Sequence, residues 1–218
     1  MNQVAVSVII PVYNAEKWIR KTLQSVLNQT QKPLEILLIN DGSSDNSYQS
    51  VAEFSDHFQW IDLLNQGLPK ALNIGIERAK GEIISFLDAD DSWMPQKLEI
   101  QAEFLAQNPK FHAVSGYVEM VSESGSGIQV PAVPQPGMLR SCFSIRKSVF
   151  QTVGGFSDQY TKGEFIDWIV RFQEAGFIYQ MLDMVLAQRL LHRQGISGGN
   201  DFSGFTELIK AKLDRARR

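Results

Sequence analysis

The stretch GEIISFLDADDSW (residues 81–93) carries a nearly continuous apolar run, Ile83-Ile84-Ser85-Phe86-Leu87, that stops on three carboxylates, Asp88, Asp90 and Asp91. A short apolar run without polar alternation reads as a strand buried on both faces, the pattern of a parallel sheet covered by helices. Carboxylates crowded at the end of such a strand repel one another and raise each other's pKa. In doubly wound sheets, ligands bind beyond the carboxyl ends of the strands. A hard divalent cation, Mn2+ or Mg2+, takes oxygen donors, commonly one or two protein carboxylates together with phosphate oxygens. Such an ion would neutralise the repulsion at this turn. The plainer alternative is that Asp91 and Ser92 cap the next helix while Asp88 and Asp90 are solvated.

The pattern repeats upstream. VAVSVIIPV (4–12) and LEILLIN (34–40) read as two further buried strands, and WIDLLN (60–65) as a third. Between the first two, AEKWIRKTLQSVLNQ sets Trp18, Ile19, Leu23, Val26 and Leu27 on one helical face, with Glu16 in the first turn. DGSSDNS predicts a turn that caps a helix over 48–54, and a further helix is predicted over 70–79, ending at Gly81. After the aspartates, MPQKLEIQAEFLAQN predicts another helix, its proline suited to a first turn. Strand and helix alternating in this order predict an α/β fold with a mainly parallel sheet flanked by helices. The Ser-, Gly- and Pro-rich stretch 122–137 reads as a long active-site loop rather than a linker, so the 218 residues are expected to form a single domain.

Composition excludes some classes. Lys plus Arg total 21 against 24 Asp plus Glu, a net charge of −3, which gives no support to nucleic-acid binding. One cysteine, Cys142, excludes an internal disulfide and suits a reducing compartment; in LRSCFSIRKSVF it is expected in a strand as core packing. No cationic leader precedes the first apolar run, which Pro11 breaks, and no apolar run has the length needed to cross a bilayer. A cytoplasmic protein is expected, with the inner face of the membrane as a place of work. The basic stretch FTELIKAKLDRARR reads as an amphipathic helix, either plainly solvated or touching anionic lipid or a partner.

Several stretches together resemble one family. SVIIPVYNAEKWIRKTLQSVLNQT, EILLINDGSSDNS, NQGLPKALNIGIERAKGEIISFLDADD and VGGF, in this order and spacing, resemble the family-2 glycosyltransferases of the GT-A fold. The resemblance covers residues 1–95 strongly and the rest patchily, which divides the domain into a nucleotide-sugar-binding half (1–95) and a less regular acceptor-binding half (96–218). It implies a nucleotide-diphosphate-sugar donor, with a UDP-sugar favoured, a divalent metal, inversion at the anomeric carbon, and a glycan, lipid-linked or protein acceptor in the synthesis of cell-surface glycans or glycoconjugates.

Carried over position by position, Pro11, Tyr13, Asn14 and Glu16 would line the base and ribose pocket, with the Tyr13 ring against a pyrimidine and Glu16 accepting from ribose hydroxyls. Asp41 would accept a hydrogen bond from the base. Asn73, with Lys70 nearby, falls in the segment under the diphosphate, although Lys70 departs from the small residue common there. Asp88 would hold ribose or the donor sugar, Asp90 would be the main metal ligand, and Asp91 would assist either. His192 would be a third metal ligand or a phosphate donor, and Arg193 would meet phosphate directly.

An inverting transfer needs a carboxylate to take the acceptor's proton. The family supplies it from an acidic pair at the start of a helix whose later turn carries arginine. In KGEFIDWIVRFQEAGF, Glu164 matches the first acid, Phe165 replaces the second, and Asp167-Trp168 resembles a pair seen in one branch. Glu164 and Asp167 both remain candidates for the base. The plainer assignment gives Glu164 to the helix N-terminus and pairs Asp167 with Arg171 at i+4. Two rivals share the sheet: a catalytically weak nucleotide-sugar-binding protein, consistent with Phe165, and a nucleotidyltransferase, which would require a glycine-rich loop that PVYNAEKW lacks.

Overall fold

The structure is a computed structural model that describes residues 3–160 and 163–194. Four strands, β1 (Val6–Val12), β2 (Glu35–Asn40), β3 (Gln59–Asp62) and β4 (Ile83–Phe86), pair in parallel in the order β3-β2-β1-β4. Every residue of β1 and of β4 is buried, which is why neither strand alternates in polarity. Helix α1 (Ile19–Leu27) buries Ile19, Thr22, Leu23 and Val26, the spacing of one helical stripe. Helix α2 (Leu68–Arg78) runs so close to β1 that a Cβ on Gly75 would stand 2.5 Å from Ile9 Cγ2.

The sheet then turns mixed. Beyond β4 come β8 (Ser144–Arg146) and β6 (Ala113–Ser122), each antiparallel to its predecessor. Beyond those lies the 13-residue β9 (Tyr179–Leu191), parallel to β6 and antiparallel to the two-residue β5 (Ser92–Trp93). A two-residue β7 (Gln135–Pro136) also pairs with β6. Helices α3 (Lys97–Gln107), α4 (Lys147–Val153) and α5 (Glu164–Glu174) complete the described elements. One hydrophobic core runs through both halves of the sheet, joining β1 and β2 to the aromatic side chains of Phe143, Phe156, Phe165 and Trp168.

Three local expectations change. No α-helix covers 48–54; a 3₁₀ turn at Ala52–His57 takes its place. Asp45 and Ser47 do not cap a helix there, because their side chains accept the main-chain N–H groups of Glu16 and Ala15 across the cleft (both 2.9 Å). The third strand ends at Asp62, opposite the last residue of β2, rather than at Asn65. Cys142 is buried as expected, but it closes a 3₁₀ turn (Arg140–Cys142) ahead of β8 instead of lying in a strand. In the stretch 122–137, only β7 is regular beyond the end of β6. The basic stretch 205–218 lies outside the described residues, and among the described helices none is long and apolar enough to cross a membrane.

Candidate functional site

Because β1, β2 and β4 run parallel, the loops that follow them leave the sheet at the same edge. After β1 the chain turns at Asn14, held at φ 47°, and its loop is laced to the loop after β2. The N–H of Asn14 donates to Ser43 Oγ (3.0 Å), Asn14 Oδ1 accepts from the N–H of Ser44 (2.8 Å), and Glu16 accepts from the N–H of Asn46 (3.2 Å). Pro11 is buried inside β1, whereas Tyr13 is 56% exposed. Asp41, the first residue past β2, is buried and accepts the N–H groups of Gln66 (2.6 Å) and Gly67 (2.8 Å) ahead of α2. Each of its oxygens retains a lone pair for a further donor.

On α2, Lys70 is exposed and Asn73 half-buried. The amide of Asn73 is engaged by Phe156, whose N–H and carbonyl it meets at 2.8 Å each. This pairing explains VGGF: a Cβ on Gly155 would stand 2.2 Å from Asn73 Oδ1, and Gly154 takes φ 78°.

The acidic turn lies between β4 and β5. Ser92 and Trp93 continue into β5 rather than capping a helix, so the plain capping alternative does not hold. One ligand atom from each of Asp88, Asp90 and Asp91 lies within 4.8 Å of the others. The Thr22 hydroxyl of α1 anchors the turn, within 2.8 Å of the Ala89 carbonyl and 2.7 Å of the Asp91 carbonyl. Burial first, and then repulsion from Asp88, pushes the Asp90 carboxyl above its usual range; burial, Asp88 and Asp90 together push Asp91 well above it.

His192, just past the end of β9, closes over this turn. Its Nε2 meets Asp90 Oδ2 at 2.9 Å, and its ring lies 4.0 Å from that of Trp18, centroid to centroid. Arg193 is exposed and donates to the Ser126 carbonyl (3.3 Å), joining the loop after β6 to this corner. The structure therefore brings Asp88, Asp90, Asp91 and His192 together, with Arg193 following in the chain.

The two acids of α5 are buried and have different partners. Glu164 pairs with Arg140, whose Nη2 also lies 2.6 Å from Asp88 Oδ1, so Glu164 is joined to the acidic turn. Asp167 accepts from Arg171 Nε (2.8 Å), the i+4 pair foreseen for it, and Arg171 also donates to the carbonyls of Val153 (2.7 Å) and Gly155 (2.8 Å). Phe165 packs into the core with its ring 5.1 Å from that of Phe143.

Arg140, Thr22 and Ser141 are not expected at the site from the sequence, and Trp18, expected on an apolar helical face, instead lies beside the His192 ring. The signal for Arg140 was available: a charged residue inside the apolar LRSCFSI implies a buried partner of opposite charge. Among the described residues, the buried side-chain nitrogen and oxygen atoms without a hydrogen-bond partner are Asp88 Oδ1, Arg140 Nε and His192 Nδ1. The contact of Asp88 Oδ1 with Arg140 is thus an ion pair lacking hydrogen-bond alignment. Buried polar atoms are normally satisfied, so the unpartnered His192 Nδ1 and Arg140 Nε beside these acids fit a ligand that completes them. The hard carboxylate oxygens of Asp88, Asp90 and Asp91 suit Mn2+ or Mg2+.

This fold is that of the GT-A glycosyltransferases. The chain belongs to glycosyl transferase family 2, whose profile matches residues 7–154. Over 188 residues it is 31% identical to the putative glycosyltransferase EpsE of Bacillus subtilis, covering 79% of this chain and 68% of that one. An uncharacterized glycosyltransferase of Haemophilus influenzae is 42% identical over 112 residues, 50% of this chain and 45% of its own length. The chain thus spans less than half of that relative, and 22% of an uncharacterized glycosyltransferase from Rickettsia felis. Among solved structures, S. aureus TarS 1–349 in complex with UDP-GlcNAc superposes with a TM-score of 0.76 at 20% identity, covering 95% of this chain and 65% of that one. The mannosyltransferase PcManGT from Pyrobaculum calidifontis, in complex with GDP-Man and Mn2+, gives a TM-score of 0.72 at 18% identity, over 89% of this chain and 59% of that one.

Proposed function

We propose that the chain transfers a sugar from a nucleotide-diphosphate sugar, with UDP-sugars favoured, to a hydroxyl of a glycan, lipid-linked or protein acceptor, with inversion and with Mn2+ or Mg2+ at the acidic turn. The observation that carries this reading is the coincidence, at the end of β4, of mutually repelling acids with orphaned polar atoms. UDP-GlcNAc in TarS, and GDP-Man with Mn2+ in PcManGT, support the ligand class. A bound divalent ion supplies neutralisation of the charge that develops on the departing diphosphate.

The chain's own residues do the rest. Asp90 and Asp91, with His192, hold the metal, and Asp88 accepts from a ribose or sugar hydroxyl. Pro11, Tyr13, Asn14 and Glu16 shape the base and ribose pocket, Tyr13 through its exposed ring, and Asp41 accepts from the base. Lys70 and Arg193, both exposed cations, meet phosphate oxygens, while Asn73 sets the distance between α2 and the turn at Gly154–Gly155. Of the two acids on α5, Glu164 is the one tied to the donor side, and it takes the acceptor's proton. Asp167 keeps the helix joined to the same turn through Arg171.

A second reading is donor binding without turnover. It draws on Phe165, which fills the place of the second acid with an aromatic ring committed to the core. A thermal-shift series with UDP-GlcNAc, UDP-glucose and GDP-mannose, with and without Mn2+, tests the main reading. A rise in Tm that requires both nucleotide and metal is expected, because a ligand bound only by the native state stabilises it by mass action. If no nucleotide sugar shifts the melting, the reading is wrong. A shift accompanied by neither transfer nor donor hydrolysis selects the second reading.

A further inference from the structure

We propose that Arg140 is a positioning residue that couples the donor-side acidic turn to the acceptor-side helix α5, so that the charge on Glu164 is felt at Asp88. The inference rests on reading that turn as the seat of metal and nucleotide. Arg140 begins the 3₁₀ turn ahead of β8, and this turn is plugged onto the acidic one by three separate contacts. Its guanidinium pairs with Asp88; Ser141 Oγ accepts the N–H of Asp88 (3.2 Å); and the Ser141 carbonyl accepts from Trp93 Nε1 of β5 (2.7 Å). Behind it, the Cys142 carbonyl accepts from the buried Gln101 of α3 (2.8 Å), which anchors the turn to a helix. On the other side, the same guanidinium holds Glu164 in the first turn of α5.

Three rigid elements therefore meet on one side chain that is 14% exposed. A charge so placed must be shared among its partners, since water does little to screen it. Two carboxylates divide one guanidinium. When Glu164 loses its charge, Arg140 is left wholly to Asp88, which then offers less to a donor hydroxyl and less attraction to a cation. When Arg140 is removed, no side chain links Glu164 to Asp88, and neutralising Glu164 by substitution changes little at the turn.

The test is a double-mutant cycle on the full chain, reading the affinity for UDP in the presence of Mn2+ by calorimetry. Glu164→Gln is expected to weaken binding about fivefold in the wild-type background and less than about twofold beside Arg140→Met. Equal losses in both backgrounds overturn the coupling. Should Arg140→Met not fold, Arg140→Lys takes its place: an ammonium on a flexible stem cannot bridge both carboxylates as a planar fork does. The loss on Glu164→Gln must then be smaller beside Arg140→Lys than in the wild-type background, and an equal loss again overturns the proposal. A wild-type chain that binds no UDP with Mn2+ defeats this inference and the functional reading together. Binding with an additive cycle defeats the role of Arg140 alone.

Discussion

If Asp91 holds the metal as proposed, stability and function pull its side chain in opposite directions. It is 4% exposed, and burial, then Asp88 and Asp90, hold its carboxyl well above its ordinary 3.8. Between that ordinary value and the raised one, the folded chain keeps a proton that the unfolded chain has released. Stability therefore falls as pH rises through this window and stays reduced above it. Asp91→Asn preserves the acceptor for the Leu190 N–H and removes the titrating group. At neutral pH the metal-free variant is expected to melt a few degrees higher than wild type, a change of about 1 kcal/mol, while its Mn2+-dependent gain from UDP shrinks. Calorimetric melts with and without UDP and Mn2+ check both signs; a variant that melts lower without metal contradicts the argument. The acids of α5 separate in the same manner. Glu164→Gln should cut transfer steeply. Asp167→Asn should chiefly lower Tm, because Arg171 then holds the Val153 and Gly155 carbonyls without its carboxylate. Melts beside a transfer assay decide; an Asp167→Asn protein with native Tm and lost transfer would move the base to Asp167.

Helix α3 carries the least conventional element of the core. Lys97 is fully buried, its amine 2.7 Å from Gln101 Oε1 and 4.1 Å from the centre of the Trp93 ring, and burial draws its pKa down to about 7. Between about 7 and the ordinary 10.5, the unfolded chain binds a proton that the folded one does not, so stability rises with pH across that range. Below about 7 the folded core must also accommodate the charge, and the penalty is complete. Lys97→Met removes the amine while leaving Gln101 Oε1 its bond from Ser144 Oγ (2.7 Å). The variant should gain about 2 kcal/mol near neutral pH, a gain that shrinks toward pH 10, as urea denaturation at several pH values would read. A gain that grows with pH would contradict the buried-amine argument. The same layer keeps Cys142 inert, its thiol pushed by burial up to about 12. Nothing in the sequence announced this layer. KLEIQAEFLAQ is expected only as a helix, and lysine is a residue type almost never fully buried, so its place in the core is not signalled.

Across the whole molecule, legibility follows the range of the contacts. The half built from β1, α1, β2, α2 and β4 could be read directly because strands buried on both faces write themselves as unbroken apolar runs, and the acidic turn sits where one such run stops. The other half was opaque. In YQMLDMVLAQRLL, β9 alternates irregularly, because it slips register against β6 at Tyr117 and its exposed centre at Asp183–Met184 interrupts the apolar pattern. Its role is long-range: it pairs with β5 beside the acidic turn and delivers His192 onto Asp90, a contact spanning 102 positions in sequence. Such closure cannot be inferred from any local window. It also makes a prediction that only the assembled fold can make. If donor and metal bind at the acidic turn, then residues 186–192 and the loop at 12–16 belong to one binding unit, although they lie at opposite ends of the described chain. Adding UDP and Mn2+ should slow amide exchange in both segments and leave α4 unchanged, since ligands suppress the local openings of the elements they contact. Protection confined to residues 12–16 would mean that His192 closes the corner without sensing what lies inside it.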